Sequence, residues 1–132
     1  MQYRLDELEK LSDELGLDSQ RVNASRLDVV FNEECVLAFC NLLGEEGSLV
    51  GFEGTPWHAH DLVQFSTGAS HSIELDELEI LIGLAIGELL IVTEYSRGQL
   101  RDRWISHKDD PLEFRDLDQG DEVRILCLAP RE

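Results

Sequence analysis

The chain lacks most of what would mark it as a secreted, membrane-spanning or nucleic-acid-binding protein. Its 132 residues contain three cysteines, Cys35, Cys40 and Cys127. The number is odd, none forms a CxxC pair, and all sit in apolar strings, which excludes a disulfide framework and predicts free thiols in a reducing compartment. No apolar run approaches the roughly 20 residues that a membrane span requires. The acidic start Met1-Gln2-Tyr3-Arg4-Leu5-Asp6-Glu7 has none of the features of a signal peptide. Positive charge is the scarcest commodity: between Leu27 and Ser96 there are thirteen Asp and Glu and not one Lys or Arg. With a net charge of −17 overall, the long-range field opposes phosphate backbones and anionic lipid, so nucleic acid and membrane surfaces are excluded as partners. The expectation is a soluble cytoplasmic protein whose partners are basic or neutral proteins.

What is present fits one globular domain spanning 1–132: 42% hydrophobic and 30% charged residues are enough for a single core. Leu5, Leu8, Leu11 and Leu15, with acids between them and Gly16 beyond, predict an N-terminal amphipathic helix. Leu17–Ser25 is polar and reads as a connecting loop. Leu27–Phe31 and Cys35–Asn41 read as strands about an Asn32-Glu33-Glu34 turn, although Asn32–Leu43 also has the cap and spacing of a helix. Ser48–Glu53 is a further strand, and Gln64–His71, rich in Ser, Thr and Gly, a surface loop. Ser72–Ile86 carries a helical stripe with acids first and Gly87 last. The remainder predicts a four-strand meander, Leu89–Tyr95, Leu100–His107, Leu112–Leu117 and Glu122–Leu128. The fold class is therefore α+β, an antiparallel β-sheet with an N-terminal helix and one middle helix packed on it.

Chemically capable side chains crowd into Gly54-Thr55-Pro56-Trp57-His58-Ala59-His60-Asp61. On an extended segment His58 and His60 point to one side, the spacing of a metal pair on a strand, and Asp61 or His71 could complete a divalent metal site. Pro56 stiffens the backbone ahead of Trp57, which predicts a buried indole with both imidazoles facing outward. The alternative is structural, with the histidines bonded to nearby backbone or carboxylates. No Gly-x-Ser-x-Gly elbow occurs and no basic neighbour activates Cys35 or Cys40, so no catalytic residue is assigned and the chain reads as non-enzymatic. The uninterrupted acids predict mutual repulsion, raised carboxyl pKa values and a fold favoured by salt.

The order Gly51-x-Glu53-Gly54-x-Pro56-Trp57-His58-x-His60, followed by a Ser/Gly loop, an acidic helix ending at Gly87 and a hairpin with Tyr95, Gly98 and Trp104, resembles small acidic immunity proteins of bacterial polymorphic toxin systems. The resemblance spans Gly51 to Trp104. It implies a cytoplasmic inhibitor whose acidic surface opposes the basic cleft of a toxin, and no cofactor. The partner-facing candidates are then Trp57, His58, His60, Asp61 and Glu77, against the alternative of a metal- or ligand-binding protein built on His58, His60 and His71.

Overall fold

The computed structural model describes residues 1–44, 47–68, 70–110 and 120–128. Two helices and ten strands are described, and every strand pairing is antiparallel, so the α+β class holds. The strands form three sheets where a single one is expected. Helix α1, Leu5–Glu14, buries Leu5 and Leu8, and Gly16 follows it at φ +73°. The next segment corrects an expectation: Asp18–Asn23 is strand β1, not loop. It is an edge strand whose residues alternate between exposed and half-buried, so it shows no hydrophobic period.

Strands β2, Arg26–Asn32, and β3, Cys35–Asn41, form the expected hairpin, and the strand reading of Asn32–Leu43 prevails over the helical one. At the turn, Glu34 N donates to Asn32 Oδ1 at 2.9 Å, the asparagine using its side chain to fold its own backbone. Strands β4, Ser48–Phe52, and β5, His58–His60, complete a five-stranded sheet in the order β1-β2-β3-β4-β5.

The segment expected to be a Ser/Gly loop is a hairpin of β6, Val63–Gly68, and β7, His71–Leu75. Val63 and Phe65 bury one face while Gln64 and Ser66 stay exposed, an alternation hidden by the small polar residues around it. Because Ser72–Leu75 belongs to β7, helix α2 is shorter than expected, Glu77–Ile86. Its start is set by a reciprocal capping box between Asp76 and Glu79, and Gly87 ends it at φ +83°.

Strands β8, Leu89–Ser96, β9, Gln99–His107, and β10, Asp121–Leu126, make the third sheet in the order β10-β8-β9. The meander is thus corrected: β10 pairs with β8, the first strand of the expected meander, on the side away from β9. The expected strand Leu112–Leu117 lies outside the described residues. One hydrophobic core joins the elements, with Leu8, Leu27, Leu37, Phe39, Ile80, Leu84 and Leu89 almost wholly buried. No described helix is long and apolar enough to cross a membrane.

The fold also supplies the cations that the acidic window lacks. Arg26 binds Asp28 at 2.7 Å, Lys108 binds Glu88 at 3.0 Å, Arg101 approaches Glu94 at 3.8 Å, and Arg4 binds Glu77 at 2.9 Å. All four cations come from outside the Leu27–Ser96 window, so the expectation of carboxylates without cationic neighbours is overturned by tertiary pairing. Cys35 is buried, Cys40 half-buried and Cys127 exposed, and burial pushes the first two thiols up from their ordinary values. All three are free, but Cys127 is not the buried thiol that its apolar neighbours suggest.

Candidate functional site

The three-residue strand β5 is clamped at both ends. Before it, Trp57 N donates to Asp102 Oδ1 on β9 at 3.1 Å. After it, Asp61 adopts a left-handed backbone, φ 53°, which aspartate tolerates better than most residues. From there its carboxylate accepts from Ser48 N at 2.9 Å and Ser48 Oγ at 3.0 Å, and its carbonyl accepts from the Tyr3 hydroxyl at 2.9 Å. Burial pushes the Tyr3 phenol up to about 12. Asp61 is thus a structural tie first, although its side chain stays 44% exposed.

Those hydrogen bonds hold the Asp61 carboxyl below its ordinary value, the backbone bond from Ser48 most of all, opposite in sign to the rise expected from crowded acids. A depressed folded pKa stabilises the fold above the unfolded pKa, about 3.9, and that contribution disappears as pH falls through the folded value. Asp61→Asn is therefore expected to melt below wild type at neutral pH, with the gap closing in melts taken below about pH 3.9.

His58 and His60 lie on one side of β5, exposed, with ring centroids 5.2 Å apart and planes at 88°. His58 Nδ1 meets Pro56 O at 3.1 Å and His60 Nδ1 meets Ser48 O at 3.3 Å. A carbonyl can only accept, so each bond places the proton on Nδ1 and leaves Nε2 as a lone pair. His71 begins β7, on a different sheet. Among the described residues no group of three His, Cys, Asp or Glu side chains is placed to hold a metal, so the His58, His60 and His71 set is not assembled. Of the three histidines, only His58 and His60 are brought together.

Trp57 turns the other way, as alternation requires, but is half-buried where a fully buried indole is expected. It packs on Phe52 with ring centroids 6.0 Å apart, and its remaining surface lines an open cavity of about 370 Å³ between β5, β6 and β9. Trp104, Asp110 and His107 also line that cavity. Trp57→Ala is expected to cost about 2 kcal/mol, less than the 3–5 of a fully enclosed tryptophan, whereas His58→Ala with His60→Ala should leave the melt within about 0.5 kcal/mol of wild type. Chemical denaturation of the two variants checks both values.

Around the cavity, Ser106 Oγ donates to Asp110 Oδ2 at 3.1 Å. His107 Nδ1 accepts from Asp109 N at 3.1 Å, which leaves its Nε2 proton directed toward Glu88, 3.7 Å away. The serine hydroxyl is bonded to a carboxylate rather than to the adjacent imidazole, so these residues do not form a nucleophile and base pair.

His107 also lines a second hollow, a groove of about 260 Å³ between β7 and α2 whose walls include Ile73, Ile82, Ile86, Glu79 and Glu88. The three isoleucines, Ile73 on β7 and Ile82 and Ile86 on α2, are exposed. The groove is not legible in the sequence, whose helical stripe takes in Ile73, a residue of β7. The signal is the unbroken apolar run Ile80–Ile86 of α2, which puts isoleucines on the solvent side as well as the core side. Glu77 is the clear correction among the partner-facing candidates: it is 1% exposed and bound to Arg4, so it cannot face a partner. Compared with known protein families, with curated proteins and with solved structures, the chain matches none of them.

Proposed function

We propose that the protein is a non-enzymatic acidic binding module that captures a basic protein, in the manner of an immunity protein that neutralises a toxin. The observation that supports the reading is the groove of Ile73, Ile82 and Ile86, an exposed apolar strip with Glu79 and Glu88 at its rim. Apolar surface exposed between acids suits a partner segment with hydrophobic side chains and flanking Lys or Arg. The adjoining cavity, with Trp57, Trp104 and Asp110, suits a cationic side chain seated against indole. The net charge of −17 would speed the encounter.

The test is affinity capture from lysate of the source organism, followed by binding measurements with the purified partner. The partner is expected to be basic, its affinity to fall steeply with salt, and Ile86→Lys to weaken binding at least about tenfold, since it replaces an anchor and adds a repelling charge. Absence of any basic partner, or a variant that binds as wild type does, overturns the reading.

A second reading, a small metal-binding protein, is favoured by the paired Nε2 lone pairs of His58 and His60. Elemental analysis of untagged protein after supplementation with zinc or nickel is expected to find metal that the double alanine variant loses and His71→Ala retains. Metal-free wild type would end this reading.

A further inference from the structure

Strand β7 is a sheet edge. Among the described residues it pairs with β6 alone, and its backbone makes no hydrogen bond to any other element. In an antiparallel pair every second residue turns its N–H and C=O away from the partner strand, so one side of β7 presents a row of open donors and acceptors. Natural edges are commonly closed to further pairing by lysine, by proline or by cover from a helix or loop. Strand β1, also an edge, is managed in this way, since its Arg21 is held against Asp6 of α1 at 2.7 Å. The segment His71-Ser72-Ile73-Glu74-Leu75 has no Lys, Arg or Pro, and its first four residues are exposed.

The two faces of β7 differ. Ile73 and Leu75 pair with the buried Phe65 and Val63 and turn inward with them, while Ser72 and Glu74 face out beside Ser66 and Gln64. The apolar groove is lined by Ile73 and Leu75 and by no residue of β6, with Ile82 and Ile86 of α2 on its opposite wall, so it opens toward the unpaired edge. A strand added to that edge would lie about 4.8 Å from β7, and every second side chain would fall on Ile82 and Ile86. The alternate side chains would line up beside Ser72 and Glu74. Glu74 makes no hydrogen bond or ion pair among the described residues, and Glu79 uses only Oε1 in its capping box. Glu88 is already held by Lys108 at 3.0 Å, so Glu74 and Glu79 are the acids that await a cation.

We infer that β7 takes up an extended segment of a basic protein as an added strand, in which apolar side chains alternate with Lys or Arg. The inference rests on the reading of the protein as a binder of basic partners and adds the form of the bound segment. Backbone pairing supplies affinity whatever the sequence, the groove selects apolar side chains on one face, and Glu74 with Glu79 selects cations. A helix laid in the groove would leave the open backbone of β7 unpaired. A second copy of the chain is the poorer occupant, because it would bring a net charge of −17 against −17 and join two edges that each carry an unpaired Glu74.

The probe is a fluorescently labelled, end-capped peptide of alternating valine and lysine, about seven residues long, enough to span β7. Its anisotropy should rise saturably with the whole protein at constant ionic strength, and a peptide of the same composition with its valines contiguous should bind at least about tenfold more weakly. Two further peptides carry N-methyl groups on the valine amides or on the lysine amides. These two sets point to opposite edges of a strand, so one peptide should bind and the other should not. Loss of binding in both, as a bound helix would show, or in neither overturns the inference. Glu74→Lys should weaken the peptide at least about tenfold, whereas Glu14→Lys, the same change of charge at an exposed site on α1, should stay within about twofold of wild type. Equal weakening by the two variants would mean attraction to general acidity and overturns it as well. Sedimentation should find a monomer; a dimer abolished by Ile73→Lys would give the edge to a second copy and overturn it. The two claims fail separately: a captured basic partner with both methylated peptides inert ends strand addition alone, and peptide binding with no basic partner in the lysate ends the proposed function alone.

Discussion

Glu77→Ala is expected to destabilise the protein by about 2 kcal/mol, the cost of orphaning a helix N–H and of leaving a void where a buried side chain stood, since Arg4 is half exposed and its freed guanidinium meets water. The helix α1 has no side-chain cap of its own at Arg4. Glu77, at the start of α2, supplies what is missing: one carboxylate oxygen accepts from Arg4 N and the other from Arg4 Nη2, both at 2.9 Å. A negative charge is thereby held at the positive end of α1 by a residue distant in sequence, where it satisfies an N–H that the helix leaves open. Loss of the side chain would orphan that donor, create a void and loosen α1 from α2 together. Glu77→Gln keeps an acceptor for Arg4 N but not the charge, so it should cost about 1 kcal/mol, the net value of an ordinary hydrogen bond. Urea melts of the two variants decide the matter. Equal losses would mean that packing, not the carboxylate, ties the helices, and no loss in either would remove the cap altogether. Partner binding by Glu77→Gln, if it stays folded, should equal wild type, because this acid lies inside.

Elements marked by local chemistry were legible in the sequence. The leucine spacing of α1, the hydrophobic runs of β2 and β3, and Gly87 at the end of α2 each carry a local signal that tertiary packing did not override. The outward pairing of His58 and His60 follows from alternation along a strand, and it appears as expected. Elements defined by their neighbours were not legible. Polar β1 exists because β2 offers it an edge, and β6–β7 because Val63 and Phe65 find the core from within a Ser-rich stretch. The placement of β10 beside β8 is set by a crossover that no local pattern encodes. The same holds for charge: counting along the chain found an acidic window without cations, while Arg4, Arg26, Arg101 and Lys108 reach into it from both flanks. His71 is the converse case, near the other histidines in sequence and on a separate sheet in space.

Gly51→Ala should cost about 2 kcal/mol and dismantle the site with it, because the residue stands where β4 and β5 come closest. Gly51 pairs with His58, and a methyl group added to it would lie 2.9 Å from the Trp57 carbonyl oxygen and 3.2 Å from His58 Cβ. The nearest of these atoms is backbone, which cannot swing aside as the end of a flexible side chain could. Relief therefore requires β5 to move away from β4, and overpacking of this kind costs about 1–3 kcal/mol. The movement would strain the Trp57 N bond to Asp102 and the Asp61 ties to Ser48, which together fix the edge strand in place. It would also shift Trp57 out of the wall of the cavity and separate the His60 imidazole from the Ser48 carbonyl that sets its tautomer. Two readouts should change together: a lower melting temperature and a red shift in Trp57 emission as the indole meets water. Gly54→Ala separates strain from contact, since Gly54 has a left-handed φ of +84° but open space around its Cα, so it should cost about 1 kcal/mol and leave Trp57 emission unchanged. If Gly51→Ala instead keeps wild-type melting and emission, the close approach of β5 to β4 is not what positions Trp57 and the two histidines.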